Sequence, residues 1–146
     1  MLSRKAPGVV TSKLASKTFA ALIMAVAAFQ LALALGAPWG EFAMGGAFPG
    51  SYPPAMRIGA LVQMGLLVAS GLVILCRAGL VLPRWRGASR WLAWVVVVLF
   101  GAGAVLNLIT PSALERALWA LVAICLFVMA LRVALSRGRS PPSLGS

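Results

Sequence analysis

The stretch Trp91–Ile109, WLAWVVVVLFGAGAVLNLI, contains no charged residue and only one strongly polar residue, Asn107. Its length is close to the roughly 20 residues that an α-helix needs to cross the hydrocarbon core of a bilayer. Because hydrocarbon offers no hydrogen-bond partners, a spanning backbone must satisfy its own N–H and C=O groups, as a helix does. This stretch therefore predicts a transmembrane helix.

Three further apolar stretches have the same character: Phe19–Ala37, Ile58–Cys76 and Ala117–Leu131. The last is short, but Arg132 can extend its charged end to the interface and lengthen the span. The predicted helices are about 18–37, 56–76, 91–109 and 113–135. The expected fold is an all-α, up-down-up-down transmembrane four-helix bundle with an extracytoplasmic loop cap. The expected domains are a basic cytoplasmic tail over 1–17, the transmembrane domain over 18–136, and a disordered cytoplasmic tail over 137–146.

Composition supports a membrane protein. The 146 residues are 62% hydrophobic and 10% charged, and their mean hydropathy is +1.00. A soluble domain usually carries about a quarter charged residues, and a small one has little interior in which to hide such an apolar excess. Lipid as the surrounding solvent accounts for this composition.

The basic residues divide unevenly between the two ends of the predicted helices. One end carries Arg57, Arg116, Glu41 and Glu115. All the remaining Lys and Arg residues belong to the other end: Arg4, Lys5, Lys13, Lys17, Arg77, Arg84, Arg86, Arg90, Arg132, Arg137 and Arg139. The positive-inside rule then predicts a multi-pass membrane protein with both termini in the cytoplasm. Arg outnumbers Lys, and Ala, Gly, Leu and Val dominate, which is typical of a GC-rich bacterial genome, so the expected location is the bacterial cytoplasmic (inner) membrane.

The formal charge of +11 raises the question of nucleic-acid binding. The cations lie between apolar runs and not on one polar face, so we expect no nucleic-acid partner. The expected partners are the lipid bilayer, with anionic headgroups at the cytoplasmic face, and a homo-oligomer or another membrane protein.

The residues that usually carry catalysis are scarce. The chain has no histidine, and its two cysteines, Cys76 and Cys125, form no CxxC or Cys/His metal pattern. The simplest interpretation is that both cysteines are small apolar packing residues. We expect no cofactor, no metal and no enzymatic activity.

An alternative concerns the first helix, whose basic leader and Ala32-Leu33-Ala34 resemble a cleavable signal peptide. Its apolar run is longer than the usual h-region of about 7–15 residues. Retention of the segment is therefore the favoured interpretation, and cleavage stays an alternative.

The loop from Pro38 to Pro54 is longer than a hairpin between antiparallel helices requires. It is rich in proline, glycine and aromatic residues. We expect a cap that folds over the outer mouth of the bundle, with a loose connector carrying interfacial aromatics as the alternative.

Few polar residues interrupt the spans. Gly59, Gln63 and Ser70 share one helical face, and Gln30 and Gln63 lie at comparable depths in the outer half. Gln30, Gln63 and Asn107 suggest a polar pocket that opens outward beneath the cap. The alternative is that amides, hydroxyls and small residues simply bind neighbouring helices to one another.

The residues around the start of the fourth helix have a structural interpretation. Ser112 and Glu115 have the spacing of a capping box, and the helix dipole favours a carboxylate there. Arg57 and Arg116 are expected to reach the outer interface or to pair with Glu41 and Glu115. No spacing supports an acid–base pair between the two glutamates.

Two motifs carry a resemblance: PWGE at 38–41 with GG at 45–46, PG at 49–50 and Arg57; and Asn107 with TPS at 110–112, ER at 115–116 and Trp119. Together they resemble a group of small, uncharacterised bacterial membrane proteins with four helices. The resemblance implies the same topology and one site that joins the outer loop to the start of the fourth helix. The candidate ligand or partner site comprises Gln30, Trp39, Glu41, Arg57, Gln63, Asn107, Glu115, Arg116 and Trp119.

The expected function is a non-enzymatic accessory or ligand-binding membrane protein with an outward-facing polar site. The alternative is a small oligomeric transporter or channel for a neutral solute. Ion-coupled transport usually places an ionisable residue deep within the membrane, and no Asp, Glu, Lys or His lies deep in any span.

Overall fold

The computed structural model describes residues 7–136, with side chains described from Ser12 onward. Within that range the chain forms four long helices and no strand. They are α1 (Pro7–Leu35), α2 (Pro54–Arg77), α3 (Arg86–Ile109) and α4 (Ala113–Leu135). Three short 3₁₀ helices lie in the connections: Gly40–Phe42, Met44–Gly46 and Pro83–Trp85.

All four helices are long and apolar enough to cross a membrane. In the most apolar 18-residue stretch of each helix, only 22–33% of the residues are buried within the chain. Large apolar side chains such as Val98 and Leu121 are more than two-thirds exposed. Such surfaces suit hydrocarbon rather than water, and the prediction of a multi-pass, all-α four-helix membrane protein is confirmed.

The helix bounds differ from the predicted ones mainly at two starts. α1 begins at Pro7 instead of 18, and α3 begins at Arg86 instead of 91. Proline suits the first turn of a helix, and Lys and Arg are good helix formers whose charged ends reach water beyond the apolar run. Residues 1–6 of the predicted basic tail and the predicted disordered tail 137–146 lie outside the described residues.

The helices pack as two hairpins. α1 packs chiefly on α2, and α3 packs chiefly on α4. We call the bundle end that carries the 78–85 connection the basic end, and the end that carries residues 36–53 the loop end. The main core joins all four helices, and edge-to-face packing of Phe19 on Phe100, at 5.3 Å between ring centroids, contributes to it.

A second, smaller core belongs to the loop end. It contains Leu33, Tyr52 and Ala60, with Phe48 and Met56 packed against them. The residues that it buries come from α1, α2 and the segment 36–53, which we call the outer loop. The outer loop is therefore an integral part of the fold.

One glycine of the outer loop is required by close approach. The N–H of Gly40 donates to the carbonyl of Gly50 at 2.9 Å. A Cβ at position 40 would lie 2.0 Å from the carbonyl oxygen of Phe48. No L side chain fits there unless the backbone moves.

We expect Gly40→Ala to lower the free energy of unfolding in detergent by about 1–3 kcal/mol, since this is an overpacked contact against backbone. Chymotrypsin should also cleave the loop aromatics faster. Gly59→Ala is the matched control because a Cβ there meets open space. It should leave stability unchanged or raise it by up to about 1 kcal/mol. Equal effects of the two substitutions would contradict the close approach.

Candidate functional site at the loop end

The outer loop begins where glycine ends α1. Gly36 has a φ of +98°, and the N–H of Ala37 donates to the carbonyl of Ala32 at 2.9 Å. This left-handed glycine end stops the helix and turns the chain across the loop end. Left-handed backbone recurs at Met44, Gly45 and Gly46, with φ of +54°, +70° and +76°.

The carboxylate of Glu115 joins the outer loop to the start of α4. Its Oε2 accepts the backbone N–H of Gly45 at 2.6 Å and the hydroxyl of Thr110 at 2.8 Å. The N–H of Glu115 donates to the hydroxyl oxygen of Ser112 at 3.2 Å. Only one half of the predicted capping box is therefore formed, since the carboxylate binds the outer loop in place of the Ser112 N–H.

Two further bonds hold the outer loop on α4. The indole N–H of Trp119 donates to the carbonyl of Phe42 at 2.7 Å, and the hydroxyl of Ser112 donates to the carbonyl of Glu41 at 3.3 Å. These contacts favour the cap over the loose connector. The side chain of Glu41 is exposed and takes no part in them.

Aromatic rings extend this attachment to α1. Phe29 stacks on Trp39 with ring centroids 6.1 Å apart, and it meets Trp119 edge-to-face at 4.7 Å. Phe29 thus lies between two of the predicted site residues. Such aromatic pairs contribute about 0.5–1.5 kcal/mol beyond the apolar area that they bury.

Beside Glu115 lies an open cavity of about 350 Å³. Polar groups of Asn107, Thr110 and Glu115 line it together with apolar side chains of Leu106 and Ile109. Oε1 of Glu115 accepts no hydrogen bond within the described chain. The cavity therefore presents a charged acceptor next to apolar walls.

The two arginines at this end bind backbone carbonyls. Nη1 of Arg116 donates to the carbonyl of Thr110 at 2.6 Å, and Nε of Arg57 donates to the carbonyl of Tyr52 at 2.9 Å. Within residues 12–136 neither arginine forms the predicted ion pair with Glu41 or Glu115. Both bonds stabilise segments that adjoin the site.

The remaining predicted site residues are not gathered at the cavity. Gln63 lies four residues before the buried Leu67, and Gln30 lies seven after the buried Ile23, so each is on the core-facing side of its helix. Nevertheless Gln63 is exposed and Gln30 is half-buried. The bundle is thus less tightly closed at the loop end, and it does not bring Gln30 and Gln63 to the cavity beside Asn107.

Asn107 lines the cavity but also binds its own helix, since its Nδ2 donates to the carbonyl of Gly103 at 2.8 Å. Ser70, predicted on the same face as Gln63, is buried and donates to the carbonyl of Leu66 at 2.8 Å. These bonds lie within one helix. The interhelical polar contacts that were the alternative to a pocket are not formed by these two side chains.

Four residues of this cluster were not among the candidate site residues: Phe29, Phe42, Gly45 and Thr110. Gly45 and Thr110 did belong to the two motifs from which one site was expected. Phe42 and Gly45 act through backbone groups, which no side-chain pattern reveals. For Thr110 the available signal was its place in the TPS motif at 110–112. Comparisons with models of known protein families, with curated proteins and with solved structures found no match.

Tyr52 belongs to the outer loop, and its side chain is buried, with 4% of its surface exposed. Burial, together with the negative charge of Glu115, raises the pKa of its hydroxyl above the ordinary value of 10.0. The folded protein therefore favours the neutral phenol more strongly than the unfolded chain does.

Removing the Glu115 carboxylate should free the outer loop. We expect Glu115→Ala to lower the free energy of unfolding by about 1–3 kcal/mol, because the Gly45 N–H and the Thr110 hydroxyl lose their acceptor. Chymotrypsin cleavage of the loop should accelerate. Glu41→Ala removes the same charge from a side chain that makes no described contact and should change stability by less than about 0.5 kcal/mol. Indistinguishable variants would refute the role given to Glu115.

The free energy of unfolding should also fall at alkaline pH, because the buried hydroxyl of Tyr52 then ionises. Its folded pKa is raised, so its contribution is complete below the ordinary tyrosine pKa of about 10 and is lost as pH rises through the folded value. Tyr52→Phe keeps the ring and removes the ionisation. Unfolding measured from pH 8 to 11 should therefore show a smaller alkaline loss for this variant than for the parent protein. Parallel curves would exclude the effect.

Proposed function

We propose that this chain is a non-enzymatic membrane protein, accessory or ligand-binding in role, that holds a small or lipidic ligand at the outward face of its bundle. The observation that carries the proposal is the cavity beside Glu115, where Oε1 of the carboxylate has no partner in the described chain. The same carboxylate binds the outer loop through Oε2. Occupancy of the cavity is thereby coupled to the position of the loop.

The chemistry of the cavity selects the ligand class. Glu115 supplies a charged acceptor, and the amide oxygen of Asn107 supplies a neutral one. The neighbouring side chains of Leu106, Ile109 and Pro111 are apolar. An amphipathic molecule with an ammonium or another hydrogen-bond-donating head fits this combination, because charge-assisted hydrogen bonds to carboxylates are the stronger kind.

The proposed setting is the bacterial cytoplasmic membrane, with the loop end outside and both termini in the cytoplasm. The distribution of cations supports this orientation, because every described Lys and Arg except Arg57 and Arg116 belongs to the basic end. The resemblance to small bacterial four-helix membrane proteins supports the setting. A homo-oligomer or a membrane-protein partner would cover part of the exposed apolar surface.

One observation favours the alternative, an oligomeric transporter or channel for a neutral solute. Gln30, Gln63 and Asn107 lie on core-facing sides of three helices, yet none of them is buried. An assembly of several copies would be needed to join these amides into one path, because four helices enclose little space by themselves.

Thermal unfolding in phosphatidylcholine nanodiscs tests the ligand class. Decylamine should stabilise the protein and decanol should not, since only the amine carries an ammonium group. A ligand present at 100 times its Kd stabilises by about 2.7 kcal/mol. Glu115→Gln should abolish the response, whereas Glu41→Gln, which removes the other carboxylate, should retain it.

A response to decylamine that survives Glu115→Gln would exclude this cavity as the binding site. Flux of neutral solutes through reconstituted vesicles, abolished by Gln63→Leu, would instead establish the transporter function.

A further inference from the structure

A second cavity lies at the opposite end of the bundle, far from Glu115. It is a groove of about 410 Å³ between α1 and α4. Its walls are mainly apolar and include Leu14, Ile124 and Val128, and Arg132 lies at its basic end. Nothing in the function proposed above uses this groove.

The groove has an uncompensated positive charge. The guanidinium of Arg132 is exposed and forms no hydrogen bond or ion pair within the described residues. Lys13 and Lys17, each next to a groove residue of α1, are also exposed. The two acidic residues of the chain, Glu41 and Glu115, belong to the loop end.

The dimensions match a lipid. Arg132 lies three residues before the end of α4, which is about 4.5 Å along the helix, so its side chain reaches the headgroup level. Ile124 lies eight residues deeper, and the apolar wall between them is therefore about 12 Å long. A headgroup and the upper part of an acyl chain span this distance.

We propose that the α1/α4 groove binds one anionic phospholipid, with its phosphate against Arg132 and an acyl chain along the apolar walls. Charge complementarity argues for this occupant over a second copy of the chain. A second basic end would bring like charges together, whereas an anionic headgroup neutralises the cation that the fold leaves unpaired.

Cys125 provides a readout, because its side chain lines the groove and is only partly exposed. In a Cys76→Ala background it is the single thiol. Maleimide should modify Cys125 more slowly in nanodiscs that contain phosphatidylglycerol than in nanodiscs of phosphatidylcholine alone. Inorganic phosphate should not reproduce the protection, because it has no acyl chain.

The deciding comparison is between two arginines of the basic end. Arg132→Gln should reduce the phosphatidylglycerol retained through purification by about fivefold, the value expected for loss of one cation near a headgroup. Arg84→Gln removes the same charge from an exposed residue of the 78–85 connection, and this variant should retain the lipid. Val128→Phe should also reduce retention, since it fills the groove but keeps every charge.

Equal losses in the two arginine variants would overturn the proposal and leave only diffuse surface attraction. Equal protection of Cys125 by both phospholipids would overturn the requirement for an anionic headgroup. A disulfide between Cys125 residues of two chains would assign the groove to self-association instead. Thermal unfolding of each variant in phosphatidylcholine alone separates lipid loss from misfolding.

Discussion

The backbone polar groups of a chain in hydrocarbon have no solvent to bind, and the architecture of this protein follows from that constraint. Each of the four spans satisfies its N–H and C=O groups within a helix. Irregular backbone lies between the helices, in the outer loop and in the connection at the basic end. In the outer loop, the N–H of Gly45 donates to the side chain of Glu115 on α4, and the N–H of Gly40 donates to the carbonyl of Gly50 within the loop.

Glu115 shows how one residue serves several of these needs. Its N–H is bound by Ser112, while its Oε2 accepts from Gly45, seventy residues away, and from Thr110. A helix start, a turn and a distant loop are thus joined through a single carboxylate. Glu115 also lines a cavity with apolar walls, and its other carboxylate oxygen has no hydrogen-bond partner among the described residues. A group that organises the fold is therefore also the charged group available to a ligand.

The two ends of the bundle differ in packing and in charge. The main core, with Phe19, Ile74 and Val133 fully buried, lies toward the basic end. At the loop end Gln30 and Gln63 stay uncovered although they continue core-facing sides of their helices. Arg77 adds a connection at the basic end, since its guanidinium donates to the carbonyl of Ser136 just beyond α4. The main core is consequently more complete toward the basic end, where the α1/α4 groove is the main opening, than beneath the outer loop.

The number, type and approximate bounds of the helices were predictable from sequence, because long uncharged apolar runs have one stable backbone conformation in lipid. The motifs also indicated that Glu115 and Trp119 lie where the outer loop meets the start of α4. The bonds that they form could not be predicted. Their partners are the backbone N–H of Gly45 and the backbone carbonyl of Phe42, and such groups do not depend on the side chain. Nor did helical periodicity reveal that Gln63 would stay exposed, because it places a residue on a face without saying whether a neighbour covers it. Local chemistry determined the helices. Only tertiary packing, which brings together residues seventy or more positions apart, decided which polar atoms of the outer loop and α4 meet.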